Sequence, residues 1–326
     1  MPERNASTGR DGQGRPGDSV LVVGLGFIGS HVASELTSRG RRFTVLTRTP
    51  PPREVADAIG PEELRIGDAA DLPTIAGSLD GVSEVVYCAG GKLPAQTEED
   101  PELSTELTLE PINALLTCLR DRPGVGLTYV SSGGTVYGEP ASVPVPEDAP
   151  TAPRAIYGRL HLACEAAIER ARETAGLDAR ILRCSTLYGE HQRPDRGQGA
   201  VVTFLDRIAR EEEIVIYGDG GAVRDYLYAG DVSRTIADLL DREDVPGVLN
   251  VGSGDGVSLR DLVEVIEREV GRRARVVTRP ERDFEVHKIV LDISRLRDLL
   301  DFEPLPLADG VARTHAWLAS TTGQTA

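Results

Sequence analysis

The segment Gly24-Leu25-Gly26-Phe27-Ile28-Gly29 directly follows the apolar run Val20-Leu21-Val22-Val23 and opens a helical stretch. A G-x-G-x-x-G in that position is chemically meaningful. Gly24 permits a tight turn, Gly26 lets backbone approach a pyrophosphate, and Gly29 lets helix and strand pack closely, with the helix N-terminus facing the anion. Phe27 and Ile28 share this turn, so the motif points to dinucleotide binding. The second strand then ends Val45-Leu46-Thr47-Arg48-Thr49. A carboxylate there would accept from the adenosine ribose hydroxyls of NAD. Thr47 removes that negative charge and Arg48 offers a cation to a 2′-phosphate, which favours NADP(H) and leaves NAD(H) as the alternative if Arg48 is a solvated loop arginine. Asp68, just past the third strand, is placed either to accept from an adenine amino group or to close an ordinary turn.

These residues need a scaffold that brings strand ends to one edge. From Ser19 onward, short β-branched runs alternate with helical segments. Strands are expected at 20–23, 43–47, 62–66, 85–88, 127–130 and 179–182, and helices at 27–38, 103–120 and 156–174. Continuous apolar strands separated by helices imply an α/β, doubly wound parallel sheet covered on both faces. After Tyr188 the texture loosens. Helices at 201–210, 259–270 and 308–318, with short strands near Ile214 and Leu249, read as a smaller C-terminal α/β lobe, some of whose segments could return to the first. The expected division is a disordered tail over 1–18, a dinucleotide lobe over 19–188 and a mainly substrate-side lobe over 189–326. The proline-punctuated stretch 140–153 reads as a surface loop.

Composition narrows the options. With 326 residues the chain can bury one large or two closely packed cores. It carries 36 Lys+Arg against 52 Asp+Glu, a net charge of -16, and its only lysines are Lys92 and Lys288. That acidity, without a basic run, speaks against nucleic acid or an anionic membrane as partner. No apolar stretch reaches the roughly 18–20 residues of a membrane span, and the polar start lacks the apolar core of a secretory signal. Cys88, Cys118, Cys164 and Cys184 are scattered in apolar surroundings without C-x-x-C spacing. The expectation is packed, reduced thiols in a cytoplasmic protein, with no metal site.

Two further blocks carry a resemblance. Tyr129-Val130-Ser131-Ser132-Gly133-Gly134-Thr135-Val136-Tyr137-Gly138 is followed, about twenty residues on, by Tyr157-Gly158-Arg159-Leu160-His161. With Arg183 to Gly189, Gly218 to Asp231, Asn250 to Gly254 and Arg282 to Asp292, the chain resembles the extended short-chain dehydrogenase/reductase family, above all its nucleotide-sugar epimerases and 4-ketoreductases. The resemblance runs from Ser19 to Leu318. It implies a Rossmann lobe holding NAD(P), a second lobe holding a nucleoside diphosphate sugar, and a homodimer formed through helices.

The resemblance assigns roles residue by residue. Tyr157 matches the tyrosine that exchanges a proton with the sugar oxygen while the nicotinamide exchanges hydride at the attached carbon. His161 stands where the family has a lysine that lowers the tyrosine pKa and binds the nicotinamide ribose. Imidazole, with a reference pKa near 6.5, can hydrogen-bond a ribose but carries little charge at neutral pH. Gly133 stands where the family has Ser or Thr, so the hydroxyl contact to the reacting oxygen falls to Ser132, with Thr135 nearby. Gly134-Thr135 replaces the acidic pair of the 4,6-dehydratases, which argues against dehydration. Arg224 and Arg282 match the arginines that clamp the diphosphate, Thr186 stands in place of an asparagine that contacts phosphate, and Gln198 could line the nucleotide pocket. The leading expectation is a 4-ketoreductase of a nucleotide-linked 4-keto-6-deoxyhexose in deoxysugar biosynthesis. The alternatives are a 4-epimerase with tightly held NAD, or a binding protein that keeps the fold without catalysis.

Overall fold

The computed structural model describes residues 19–51, 53–60, 63–92, 94–196, 199–282 and 286–322. The expected N-terminal tail and Gln198 lie outside the described residues. In chain order the first lobe contains β1 (Ser19–Val23), α1 (Phe27–Ser38), β2 (Phe43–Thr47), α2 (Arg53–Ile59), β3 (Leu64–Ile66), α3 (Leu72–Ser78) and β4 (Val82–Tyr87). It continues through α4 (Pro94–Glu99), α5 (Pro101–Arg120), β5 (Gly126–Ser132), α6 (Gly133–Val136), α7 (Ile156–Ala175) and β6 (Ala179–Cys184). Then follow β7 (Thr186–Tyr188), α8 (Ala200–Ala209), β8 (Glu213–Tyr217), β9 (Val223–Tyr228), α9 (Ala229–Leu239), β10 (Val248–Val251) and β11 (Gly256–Ser258). The last elements are α10 (Leu259–Val270), β12 (Arg275–Arg279), β13 (Lys288–Ile289), α11 (Ser294–Leu299) and α12 (Leu307–Thr322).

The large sheet has the order β10-β6-β5-β4-β1-β2-β3, and every neighbouring pair in it is parallel. This is a doubly wound Rossmann sheet. Because side chains alternate across a strand, β1 feeds two cores: Val20 and Val22 face α1 and α9, whereas Leu21 and Val23 face α5 and α7. The strand near Leu249 lies in this sheet beside β6, with Leu249↔Leu182 in register, although its neighbours in sequence suggested the smaller lobe. Its apolar residues find a two-sided slot only at that free edge.

The smaller lobe has its own core, built from Val202, Phe204, Leu205, Ile214, Tyr226, Leu262 and Ile266. Its ladders are a four-stranded sheet around β9 and the parallel pair β8–β12. The stretch 140–153 is more than a surface loop: Val145 is 1% exposed and bridges to Leu291, and the Glu147 carboxylate is buried, accepting from the Asn250 N–H at 3.0 Å. A buried loop must satisfy its polar groups, and Glu147 does so here.

Candidate functional site

The glycine turn has the shape that a dinucleotide requires. Gly24 sits at φ +93°, and a Cβ there would stand 2.6 Å from the Ala89 backbone. At Gly29 it would stand 1.9 Å from the Gly24 carbonyl oxygen, so both positions exclude a side chain. Around Gly26, by contrast, a Cβ would meet nothing within 4 Å. That open side lies at the N-cap of α1, where no side chain caps the helix. Uncapped N–H groups and the positive end of the helix dipole suit a pyrophosphate. Phe27 and Ile28 are in the first turn, Ile28 half-buried against the core and Phe27 edge-on to His31 at 5.6 Å.

At the end of β2, Thr47 is buried and its hydroxyl donates to the Thr49 carbonyl at 3.1 Å, whereas Arg48 is exposed. The Asp68 Oδ1 accepts from the Ala70 N–H at 2.9 Å, closing the turn after β3.

The β5 strand ends at Ser132, and α6 then starts with Gly133. The Thr135 hydroxyl donates to Ser132 Oγ at 2.9 Å. The same Thr135 hydroxyl also lies 3.2 Å from the Ser132 carbonyl oxygen. A Cβ on Gly133 would lie 2.8 Å from the Arg183 carbonyl oxygen and 2.8 Å from Leu291 Cδ1, so the backbone leaves no room there for the usual hydroxyl residue. Gly158 lets the first turn of α7 approach the carbonyl of Thr135, which a Cβ would reach at 2.9 Å. This contact packs the first turn of α7 against α6. The first N–H of α7, on Ile156, is capped from another helix, by Glu98 Oε1 at 2.6 Å.

Tyr157 and His161 are one turn apart on α7, with ring centroids 4.5 Å apart in an edge-to-face pose. Burial pushes the Tyr157 phenol up to about 12, with a smaller contribution from the nearby Cys184 thiol. Burial alone takes His161 down to about 4. At neutral pH the imidazole is therefore uncharged and the phenol keeps its proton. His161 Nδ1 shares a 2.9 Å hydrogen bond with the Tyr129 hydroxyl, from the neighbouring strand β5. Arg159 is exposed and donates to the Arg154 carbonyl at 2.8 Å, so it does not replace the missing lysine.

Thr186 opens β7, and its hydroxyl oxygen is 3.7 Å from where a Cβ on Gly134 would stand. Arg224, on β9, donates to the Val223 carbonyl at 3.0 Å and lies 3.5 Å from the His287 carbonyl. The Arg282 guanidinium stacks over the Tyr217 ring at 3.6 Å. His287 Nδ1 lies 3.1 Å from Glu281 Oε1, which joins the neighbourhoods of the two arginines. Stacking holds a guanidinium flat.

The sequence motifs did not single out the supports beneath the site. Glu165 on α7 receives Arg183 Nη2 at 2.7 Å and the Ser131 hydroxyl at 2.5 Å. Arg183 also reaches the Tyr137 hydroxyl and the Glu147 carbonyl. Glu165 lies eight residues after Tyr157 on the same helix, a spacing that could have marked it as inward-facing. Asp225 accepts from Ser253 N–H and Oγ and from the N–H groups of Gly254 and Leu291. Among the described residues no group of His, Cys, Asp or Glu is arranged to hold a metal ion.

Comparison with known proteins follows the same lines. Residues 20–252 match the NAD dependent epimerase/dehydratase family model. A dTDP-4-dehydro-6-deoxy-D-allose reductase of Streptomyces bikiniensis is 29% identical over 331 residues, spanning 94% of this chain and 98% of the relative. A UDP-glucose 4-epimerase of Azospirillum brasilense is 30% identical over 316 residues, 90% of each chain. Among solved structures, the UDP-glucose 4-epimerase of Thermus thermophilus in complex with NAD superimposes with a TM-score of 0.84 at 28% identity, covering 92% of this chain and 99% of that one.

Proposed function

Because the chain belongs to the NAD-dependent epimerase/dehydratase family, we propose that it is a nicotinamide-dependent oxidoreductase acting at C4 of a nucleotide-linked hexose, and specifically a 4-ketoreductase of a 4-keto-6-deoxy sugar. The observation that carries the choice of reductase is the state of the Tyr157–His161 pair. A phenol held near 12 beside an uncharged imidazole is ready to give a proton. It is a poor base for the alcohol oxidation with which an epimerase must begin.

The bound dinucleotide supplies hydride to C4. The chain's own groups do the rest: the Ser132 O–H hydrogen-bonds the C4 carbonyl oxygen, and the Tyr157 O–H gives the proton that completes the alcohol. Thr135 orients Ser132 by donating to its Oγ. Gly24, Gly26, Phe27, Ile28 and Gly29 form the diphosphate turn, with Asp68 beside the adenine, and His161 meets the nicotinamide ribose. Arg48 selects NADPH through the 2′-phosphate. Arg224 and Arg282 clamp the sugar diphosphate, with Thr186 along its path. The first lobe thus holds the dinucleotide and the second the sugar nucleotide. A cytoplasmic homodimer through the long helices completes this reading; the four cysteines, all free, support the location.

The similarity to 4-epimerases of comparable identity favours a second reading, C4 inversion with retained NAD. Incubating the protein with a nucleotide-linked 4-keto-6-deoxyhexose and NADPH tests both. One NADPH oxidised per sugar reduced supports the reductase. Inversion at C4 of a nucleotide-linked hexose that carries a C4 hydroxyl, supplied in a separate incubation, with no net NADPH use, supports the epimerase. Binding without turnover supports a non-catalytic descendant of the fold.

A further inference from the structure

The helix that carries Tyr157, α7, begins without a cap of its own. Its N-cap residue is Ala155, and no side chain at that position takes a helix N–H. Ser, Thr, Asp or Asn there would satisfy one of the N–H groups that a first turn leaves unpaired. Pro153 and Arg154, just before it, carry no side-chain acceptor either. The Arg159 N–H is the first to reach a carbonyl of the helix, that of Ala155 at 3.2 Å. The Ile156 N–H is met instead from α4, by Glu98 Oε1 at 2.6 Å, in a half-buried contact. A carboxylate suits this place, because it accepts a charge-assisted hydrogen bond at the positive end of the helix dipole. Ile156 immediately precedes Tyr157, so the bond grips the backbone from which the phenol projects.

The chain leading to Glu98 starts at the glycine turn. Strand β4 runs beside β1, and the Cys88 N–H donates to the Val23 carbonyl at 2.9 Å. The Ala89 backbone then stands so close to Gly24 that a Cβ on the glycine would be 2.6 Å away. Gly91 packs on Thr108 of α5, and Lys92 Nζ pairs with Asp100 Oδ2 at 2.8 Å. Asp100 in turn caps α5 through the Leu103 N–H at 3.2 Å. Between these points α4 packs on both α5 and α7, with Thr97 buried beside Glu98. The carboxylate therefore sits on an anchored element, and its bond to Ile156 fixes a position as well as satisfying a donor.

We propose that Glu98 is a positioning residue for Tyr157. Through the Ile156 N–H it sets where the first turn of α7 stands relative to the glycine turn, and so how far the phenol lies from a dinucleotide bound there. The proposal rests on the reading of Tyr157 as the proton donor. Hydride and proton must reach the two ends of one carbonyl group, so a displacement on the order of 1 Å costs about 100-fold in rate. Binding of the dinucleotide at the glycine turn does not pass through this bond.

Three variants of the full-length protein test it, assayed where circular dichroism shows each to be folded. Glu98→Gln keeps an oxygen that can accept from Ile156, and Glu98→Ala removes it. Adding Ala155→Ser to Glu98→Ala gives α7 a local cap without the link to α4. The readouts are the single-turnover rate of NADPH oxidation by a nucleotide-linked 4-keto-6-deoxyhexose, and Kd for NADPH. Glu98→Ala should lose about 10–100-fold in rate with Kd changed less than about twofold, and Glu98→Gln should stay within about threefold of the unmodified rate. The double variant should remain slow. A second readout is independent of turnover: ¹³Cζ-tyrosine spectra, with Tyr157→Phe identifying the signal. The edge-to-face contact with His161, at 4.5 Å, makes that signal sensitive to a shift of the first turn. It should move in Glu98→Ala and in the double variant, and stay in Glu98→Gln.

An unchanged rate and an unmoved Tyr157 signal in Glu98→Ala overturn the proposal. Recovery of the rate in the double variant does so too, since Glu98 would then be a helix cap and nothing more, as does a Glu98→Gln variant as slow as Glu98→Ala. If Glu98→Ala alone does not fold, the locally capped double variant supplies the same two readouts. If the unmodified protein oxidises no NADPH, the reductase reading fails by itself. The tyrosine spectra then decide the Glu98 link, a moved signal supporting it and an unmoved one overturning it.

Discussion

Gly133 and the Arg183 carbonyl are so close that a Cβ on the glycine would stand 2.8 Å from the oxygen. The ends of β5 and β6 converge here, with Ser132 opposite Cys184 in register. The glycine is thus a packing requirement of this backbone, and under the proposed mechanism the hydroxyl function belongs to Ser132, one residue upstream. Gly133→Ser is expected to destabilise the protein by about 1–3 kcal/mol, as overpacking does, and to leave kcat no higher. Denaturant midpoints together with steady-state rates check this. A more active, equally stable variant would show that the backbone tolerates the family's usual residue.

If Ser132 carries the hydroxyl role, Thr135, 2.9 Å away, is its support. Ser132→Ala should lower kcat about 100-fold with little change in NADPH affinity, the scale seen when one hydrogen-bond donor to a developing oxyanion is removed. Thr135→Val should cost less, about 3–10-fold, because it only orients the donor. Equal losses for the two would place the donor at Thr135 instead.

The depressed pKa of His161 gives stability a definite pH dependence. The unfolded chain protonates this residue near 6.5, whereas the folded chain resists until about 4. The contribution is therefore present above pH 6.5 and is lost progressively as the pH falls towards 4, by about 3 kcal/mol in all. His161→Gln cannot titrate and should lose correspondingly less stability over that window. Urea midpoints at neutral pH and near pH 4 for both proteins measure the difference; parallel losses would mean that His161 is charged or exposed in the folded state.

Arg48 is exposed at the end of β2, where Thr47 spends its hydroxyl on Thr49. If it meets the 2′-phosphate, Arg48→Ala should reduce kcat/KM with NADPH about 10–100-fold and leave that with NADH nearly unchanged, the worth of a charge-assisted contact. An equal effect on both cofactors would make Arg48 a solvated loop residue and remove the basis for NADPH preference.

How far the sequence revealed this molecule depends on the range of the interactions. The helix Phe27–Ser38, the strand Phe43–Thr47 and the helix Leu259–Val270 are written in local periodicity and punctuation, and they occur where the pattern places them. The strand near Leu249 could not be assigned to its sheet, because its partner β6 is about seventy residues earlier. The same limit applies to the site. The motifs named Tyr157 and His161, but Tyr129 joins them only across the β5–α7 packing, and its letter in the sequence resembles that of any core aromatic. Val145 and Glu147 were hidden for the opposite reason: a proline-rich stretch reads as surface until Asn250 and Leu291, far along the chain, close over it.

The central claim is that Tyr157 gives a proton to a C4 oxygen as hydride arrives at C4. The most direct measurement uses NADPH deuterated at C4 of the nicotinamide, with a nucleotide-linked 4-keto-6-deoxyhexose, for the unmodified protein and Tyr157→Phe. With both C4 hydrogens of the nicotinamide replaced by deuterium, one deuterium is expected at the sugar C4 for each NADPH oxidised, along with a loss of at least about 100-fold in kcat for Tyr157→Phe with NADPH still bound. No NADPH oxidised, NADPH oxidised without deuterium at the sugar C4, or full turnover by Tyr157→Phe, would contradict it.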